Sequence, residues 1–382
     1  MSYRVVHLTS VHHAFDNRIF HKECRSLVLA GYEVFLVAPH ECDAARDGIR
    51  LVAVPRPRSR AERMTRVLWN IFRTALKLNG DIYHFHDPEL MPVGVLLKLL
   101  GKKVVCDVHE DYPSLLRHTT WIPSLLRRPV AEATGIAQML LAHFYDRIIV
   151  TTPVIAARFP VAKTHLVQNF PWLDEMQEAG SRPYQERDAI AIYVGRLSND
   201  RGLREMAQAT EIVARQMPVK LITAGEAAPG VGADLIIGCE NGLVEHCGLL
   251  GRAEVTGLAA AARVGLVVLH PLDAYVKSQP TKLYEYMAAG LPVIASDFPI
   301  WRRIVDTAGC GLLVNPLVPA EIAKALLWLL QNPREAEQMG MQGRRAALEM
   351  YSWESEARYL ISAYDGLCRP VAQKIYRPAS AE

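Results

Sequence analysis

Short apolar runs alternate with helical segments from one end of this chain to the other, and no other feature restricts the fold as strongly. Arg4–Thr9, Glu33–Val37, Asp81–His86, Lys103–Asp107 and Arg147–Thr151 read as buried strands of the first half, with helices such as Ile19–Ala30 and Leu90–Leu99 between them. In the second half the strands are Ala189–Val194, Val219–Ala224, Val264–Leu269, Pro292–Ala295 and Leu312–Val314. Strands that are apolar throughout are buried on both faces, so the pattern predicts parallel sheets covered by helices, the α/β class. A chain of 382 residues exceeds one ordinary core and fits two domains. The boundary falls in the polar stretch Asn169–Asp188, which holds two prolines and a glycine and separates two complete βα series.

The segment Ser278–Asp297, SQPTKLYEYMAAGLPVIASD, carries the most chemistry. Pro280 suits the first turn of a helix and Gly290 its end, after which the chain enters an apolar strand. A helix start of this kind directs backbone N–H groups and a positive dipole end outward, an arrangement suited to a phosphate. Glu285, about a turn further in, is within reach of a sugar hydroxyl pair beside that phosphate. Alone, the segment is equally an ordinary αβ unit with Glu285 on a solvated face.

A second element, Tyr193–Gly202 (YVGRLSNDRG), decides between these readings. It leaves a buried strand, turns at Gly195 and presents Arg196 and Arg201 before a helix that starts near Gly202. Two guanidiniums beside a strand-to-helix loop can clamp a pyrophosphate through charge-assisted hydrogen bonds. The phrase is not GxGxxG, so a dehydrogenase-type dinucleotide site is poorly supported.

Together these motifs resemble the nucleotide-sugar site of GT-B glycosyltransferases, specifically the retaining family 4 (group 1). The resemblance covers nearly the whole chain and implies two facing Rossmann-like domains with a cleft between them. It divides the chain into an acceptor-side domain 1–170, a linker 171–188, a donor-nucleotide domain 189–350, a helix 351–368 crossing back to the first domain and a tail 369–382. It assigns Glu285 to the ribose hydroxyls, and backbone N–H groups at Thr281, Lys282 and Leu283, with Arg196 and Arg201, to the departing diphosphate. His109, after the fourth strand, would orient the transferred sugar. The implied reaction keeps the anomeric configuration, uses no protein nucleophile and needs no metal or other cofactor. The nucleoside-diphosphate sugar is a co-substrate, and the acceptor is a saccharide or lipid-linked saccharide of cell-surface polysaccharide synthesis. Two departures stand out. Arg201 replaces the family's lysine, and Lys277 occupies the place of a glutamate that contacts the donor sugar. Lys277 would then meet a phosphate or an acidic sugar, or Asp273 and Ser278 would hold the sugar instead. A nucleotide-sugar isomerase of the same fold, using Asp87, Glu89, Glu110 or Asp111, and a catalytically silent scaffold subunit are the alternatives.

In the first half, Ser10–Arg18 (SVHHAFDNR) follows the first strand, where family members carry a glycine-rich turn. Asp16 and Arg18 stand there instead. Arg18 is a candidate anion ligand, the alternative being a surface loop with a local Asp–Arg pair. Strand alternation places His84 and His86 on one face, and with His109 or Asp87 they could hold a metal, although no spacing fixes such a set. His86 reads instead as a hydrogen-bonded histidine at a strand end. On a helix through Arg63–Lys77, Met64, Val67, Leu68, Ile71, Phe72 and Ala75 share one face, with Arg63, Arg66, Arg73 and Lys77 on the other. Such a helix covers a sheet or docks on an anionic membrane, and Trp121–Arg128 offers a second contact patch.

The net charge of +3 argues against a dedicated nucleic-acid binder. Seven scattered cysteines without a CxxC pair read as reduced thiols rather than a disulfide or zinc framework. The first strand begins near residue 4 with no signal peptide before it, and no run of 18 apolar residues occurs, so a cytoplasmic location is expected, with peripheral contact at the inner membrane face.

Overall fold

The computed structural model describes residues 2–119, 121–174, 183–228, 231 and 242–367. They form two units, one comprising the chain up to Asn169 with the residues from Ser355 onward, the other Phe170–Glu354. Residues 175–182 of the expected linker and the expected tail 369–382 lie outside the described residues.

The first unit is built on eight strands: β1 (Arg4–Leu8), β2 (Glu33–Pro39), β3 (Ala44–Arg46), β4 (Ile49–Val54), β5 (Ile82–Phe85), β6 (Lys103–Val108), β7 (Arg147–Val150) and β8 (Thr164–Leu166). Their order is β3-β4-β2-β1-β5-β6-β7-β8, and all pairings are parallel except β3 with β4. The strands expected here appear as β1, β2, β5, β6 and β7. Sequence analysis missed β3, β4 and β8. β3 and β8 are three-residue strands at the sheet's edges, too short to show a period. Helix Ile19–Leu29 begins with six residues of π-helix. Val6, Leu8, Tyr83, Phe85, Val104 and Ile148 belong to a core fully buried under the covering helices.

In the second unit the strands are β9 (Ile190–Val194), β10 (Lys220–Ala224), β11 (Val244–His246), β12 (Val264–Val267), β13 (Val293–Ser296) and β14 (Gly311–Val314). They run β11-β10-β9-β12-β13-β14, all parallel. Each sheet reverses its winding beside its first strand, between β1 and β5 and between β9 and β12. Loops at the carboxyl ends of strands flanking such a reversal are where open α/β sheets bind ligands.

One close approach fixes the position of the motif helix. Helix Thr281–Ala288 lays Tyr286 across β12, where a Cβ on Gly265 would fall 2.4 Å from the ring. The Tyr286 hydroxyl then accepts the Val194 N–H at the end of β9, at 2.8 Å. A glycine in the strand and a tyrosine one residue after Glu285 thus join helix and strand end. Helix Trp353–Asp365 appears where sequence places it, and from Ser355 it belongs to the first unit, its Tyr364 hydroxyl 2.7 Å from His84 Nδ1.

Candidate active site

Beyond β9 the chain turns at Gly195, where φ is +133°, and a 3-10 turn Asn199–Arg201 leads into helix Leu203–Ala214. Arg196 is exposed and Arg201 half-buried. The Arg201 guanidinium lies over Tyr275, 5.4 Å from Cζ to the ring centroid, and the Tyr275 hydroxyl donates to Asp200 at 2.5 Å. Lys282, on the first turn of helix Thr281–Ala288, points back at the same loop with Nζ 3.5 Å from the centre of the Tyr193 ring. Charge interactions link Arg201, Lys282 and Glu285, so both motifs converge on one place. Glu285 is half-buried.

Not every expected donor is available. The Leu283 N–H, expected to face a phosphate, donates to the Pro280 carbonyl at 3.0 Å, and the Leu283 side chain is core. Ser278, expected to hold the sugar, turns its hydroxyl to the Tyr275 carbonyl at 2.9 Å, while its own carbonyl accepts the Trp301 indole. Lys277 is exposed and its ammonium is held 2.8 Å from Asp273, one helical turn away. These groups satisfy local backbone and surface charge. Thr281 is half-buried at the helix start.

The first unit corrects the reading of Arg18 further. Neither an anion ligand nor half of a local surface pair, it is 4% exposed. Its Nε lies 3.0 Å from Asp107 and 2.9 Å from Glu23, and an Nη donates to the Val167 carbonyl. Asp16 instead caps the helix, its Oδ1 accepting the N–H groups of Arg18 and Ile19. Burial disfavours ionised Asp107, but the Arg18 guanidinium outweighs it and holds that carboxyl well below the usual range. Burial and the neighbouring Asp107 push Glu23 well above it. Sequence order hides this cluster, because Asp107 meets Arg18 only once β1, β5 and β6 are in parallel register. That register was the usable signal: Phe85 pairs with Cys106, which brings His86 beside Asp107.

Around it the histidines form a chain. His86 Nδ1 lies 3.0 Å from Asp107 and its Nε2 is 2.9 Å from His7 Nδ1, as a hydrogen-bonded strand-end histidine requires. His109 Nδ1 is 3.4 Å from Asp107. Asp87 accepts from Thr9 and from the Ser10 N–H, and its other oxygen lies 3.3 Å from His12 Nε2. Among the described residues two sets bring donor atoms within 4.8 Å of one another, His7 with Glu23, His84 and His86, and His86 with Asp107 and His109. A cation there would face the Arg18 guanidinium and take the place of hydrogen bonds that already use both His86 nitrogens.

On the unit's surface, helical residues Arg60–Leu78 bury Val67, Ile71 and Ala75 as expected. Met64, placed by sequence on that face, is exposed together with Trp69, because five π-helical residues rotate the face. Arg63, placed on the solvated face, instead pairs with Glu89 at 2.9 Å. Nearby, Arg60 covers the exposed Trp121 ring, and Arg117, Ser124, Arg127 and Arg128 line a shallow pocket of about 400 Å³. Among the described residues, no helix is long and apolar enough to cross a membrane. Cys24, Cys106 and Cys310 are buried free thiols, Cys42 and Cys247 exposed ones.

Comparison with known proteins agrees with this architecture. Residues 17–168 match the glycosyl transferase 4-like domain and residues 188–332 match glycosyl transferases group 1. The phosphatidyl-myo-inositol mannosyltransferase of Mycobacterium leprae (strain TN) is 36% identical over 125 residues, 33% of this chain and 33% of that protein, so this match spans about a third of the relative. The phosphatidyl-myo-inositol mannosyltransferase of Mycobacterium tuberculosis (strain ATCC 25618 / H37Rv) is 29% identical over 296 residues, 75% of this chain and 73% of that one. The crystal structure of Anabaena Alr3699/HepE in complex with UDP and glucose shares the fold, with a TM-score of 0.72 over 95% of this chain and 100% of that one at 13% identity. Two parallel sheets of this kind define an α/β protein of GT-B type. The chain belongs to the group 1 glycosyltransferases, family 4, a family of sugar-transferring enzymes.

Proposed function

We propose that the protein is a retaining glycosyltransferase that moves a hexosyl group from a nucleoside-diphosphate sugar to a saccharide or lipid-linked saccharide acceptor of cell-surface glycan synthesis. The observation that carries this reading is the convergence of Arg201, Lys282 and Glu285 beside the reversal point of the second sheet. Glu285 takes the ribose hydroxyls. Arg196, Arg201 and the start of helix Thr281–Ala288 face the diphosphate, where negative charge grows as the glycosidic bond breaks. Fixed positive charge aimed at that growth favours the transition state over the bound substrate. With the leaving group neutralised by protein cations, the reaction requires no divalent ion.

His109 is assigned to the transferred sugar. Lys277 and Ser278, engaged locally, leave the sugar hydroxyls to other groups. The acceptor side carries an exposed basic and aromatic surface of Trp69, Trp121 and Arg128, with Arg127 half-buried beside it. This suits a lipid-linked acceptor and a cytoplasmic protein peripheral to the inner membrane face. A mannosyltransferase of phosphatidyl-myo-inositol among the relatives is in keeping with such an acceptor.

The test is direct. A thermal-shift panel of nucleoside diphosphates identifies the base, since a ligand of the native state raises its stability. Transfer from the matching labelled sugar is then followed, with chelator present, and the anomeric configuration of the product read by NMR. Inverted product removes the retaining mechanism. Binding without transfer to any saccharide or lipid-linked acceptor removes the enzyme reading.

A further inference from the structure

Among the described residues of the second unit, the Lys282 ammonium lacks a hydrogen-bond partner. Lys282 is 8% exposed. Nζ sits on the face of Tyr193 and directly under the turn at Gly195, where a Cβ would come within 2.9 Å of it. Glycine at 195 therefore leaves the space the side chain enters. The charged groups facing Lys282 are Arg201, which repels it, and Glu285, which attracts it.

An ammonium out of water without an acceptor costs several kcal/mol, and a neighbouring guanidinium adds to that cost. Leucine or methionine would pack at this position without either penalty. A buried lysine pressed against a second cation, offset by the Tyr193 ring and the Glu285 carboxylate, suits a ligand that brings negative charge. Burial first, and Arg201 second, move its pKa well below the ordinary lysine value, so the amine loses its proton easily in the free protein. Arg201 stays charged, its guanidinium raised above its usual value despite burial by the rings of Tyr193 and Tyr275.

We propose that the Lys282 side chain is the inner ligand of the diphosphate, taking a proton from solvent as the anion seats between it and Arg201, and returning the proton when the diphosphate leaves. The amine lone pair accepts H⁺ from water or buffer, no other bond changes, and the resulting ammonium offers three donors. The inference rests on the donor reading of this site and adds a proton to its stoichiometry.

Titration calorimetry of the full chain with uridine diphosphate tests it. It is run at about pH 8.5, where terminal phosphates are already ionised, in two buffers of different ionisation enthalpy. The wild type is expected to take up protons as the diphosphate binds. Lys282→Met, nearly isosteric, should bind roughly tenfold to a hundredfold more weakly with no uptake, the loss of one charged hydrogen-bonding group. Lys282→Arg should recover affinity but still show no uptake, because its guanidinium is charged before binding. A melting curve of Lys282→Met at or above that of wild type confirms the folded state. Diphosphate binding by wild type with no proton exchange, or uptake unchanged in Lys282→Met, overturns the inference and leaves the donor site standing. If wild type binds neither uridine diphosphate nor any other nucleoside diphosphate, the inference and the donor reading fall together.

Discussion

His12 Nε2 lies 3.1 Å from His109 Nε2, and the same nitrogen is 3.3 Å from Asp87 Oδ1. Burial opposes a charge on His12. The hydrogen bond and charge of Asp87, with Asp16 and Glu110 behind it, overcome burial and raise its pKa to about 9. His12 is then an imidazolium at neutral pH. Its Nε2 faces both Asp87 and His109, and on the other side of the His109 ring Nδ1 lies 3.4 Å from Asp107. A histidine in the loop after β1 thus joins the histidine assigned to the sugar to the buried Asp87 carboxylate.

A group whose pKa is raised on folding contributes stability that is complete below its unfolded value and is lost as pH rises through the folded one. For His12 the loss runs from about 6.5 to about 9. Asp87, lowered to about 2 by His12 against the effect of burial, contributes above its unfolded value, and its share is lost only as pH falls towards 2. Melting temperatures between pH 7 and 10 should therefore decline more in wild type than in His12→Gln. Asp87→Asn should cost about 2 kcal/mol at neutral pH, as for a hydrogen bond to a charged group. Parallel pH curves for wild type and His12→Gln would remove the ion pair.

Arg18 and Asp107 are both buried, and each is the other's counter-charge. Arg18→Met should cost about 3–5 kcal/mol in urea unfolding, because it strands the Asp107 carboxylate in the core. The double variant Arg18→Met/Asp107→Asn should recover part of that loss. A cost below about 1 kcal/mol for the single change would show that water reaches the cluster.

Glu285→Ala should weaken binding of the donor at least roughly tenfold, the worth of a charge-assisted hydrogen bond to a sugar hydroxyl. Arg201→Ala should lower kcat more than it raises KM, since charge on the diphosphate increases during cleavage. Calorimetry and steady-state kinetics read the two separately. A change confined to KM would make Arg201 a binding group only.

Arg66, Arg73 and Lys77 are exposed on the helical stretch that also exposes Trp69. Each basic residue near an anionic surface contributes about 1 kcal/mol, and salt screens it. Co-sedimentation with anionic vesicles should exceed that with neutral ones and fall as salt rises. Replacing these three residues with glutamine should reduce it sharply. Equal pelleting with both lipids, or none with either, points to a soluble acceptor.

Sequence by itself determined the class of fold and the donor motifs. Unbroken apolar strands admit only parallel sheets covered on both faces, and the turn at Gly195 and the helix between Pro280 and Gly290 are written in local backbone preferences. The family resemblance assigned Arg201 and Glu285 to one donor, and the fold brings both within charge range of Lys282. Tertiary structure alone decided which of the remaining polar groups stay available. Arg18 sits in a loop of ordinary surface composition, yet the register of β1, β5 and β6 delivers Asp107 to it from 89 residues away, and burial then makes the pair compulsory. Lys282 shows the opposite case. Sequence assigns it to the donor only through its backbone N–H, and the packing of Tyr286 on Gly265 accompanies the turn of its side chain inward beneath Gly195. Local sequence encodes dihedral preference and polarity, whereas the cost of an unpaired charge depends on what the rest of the chain places beside it.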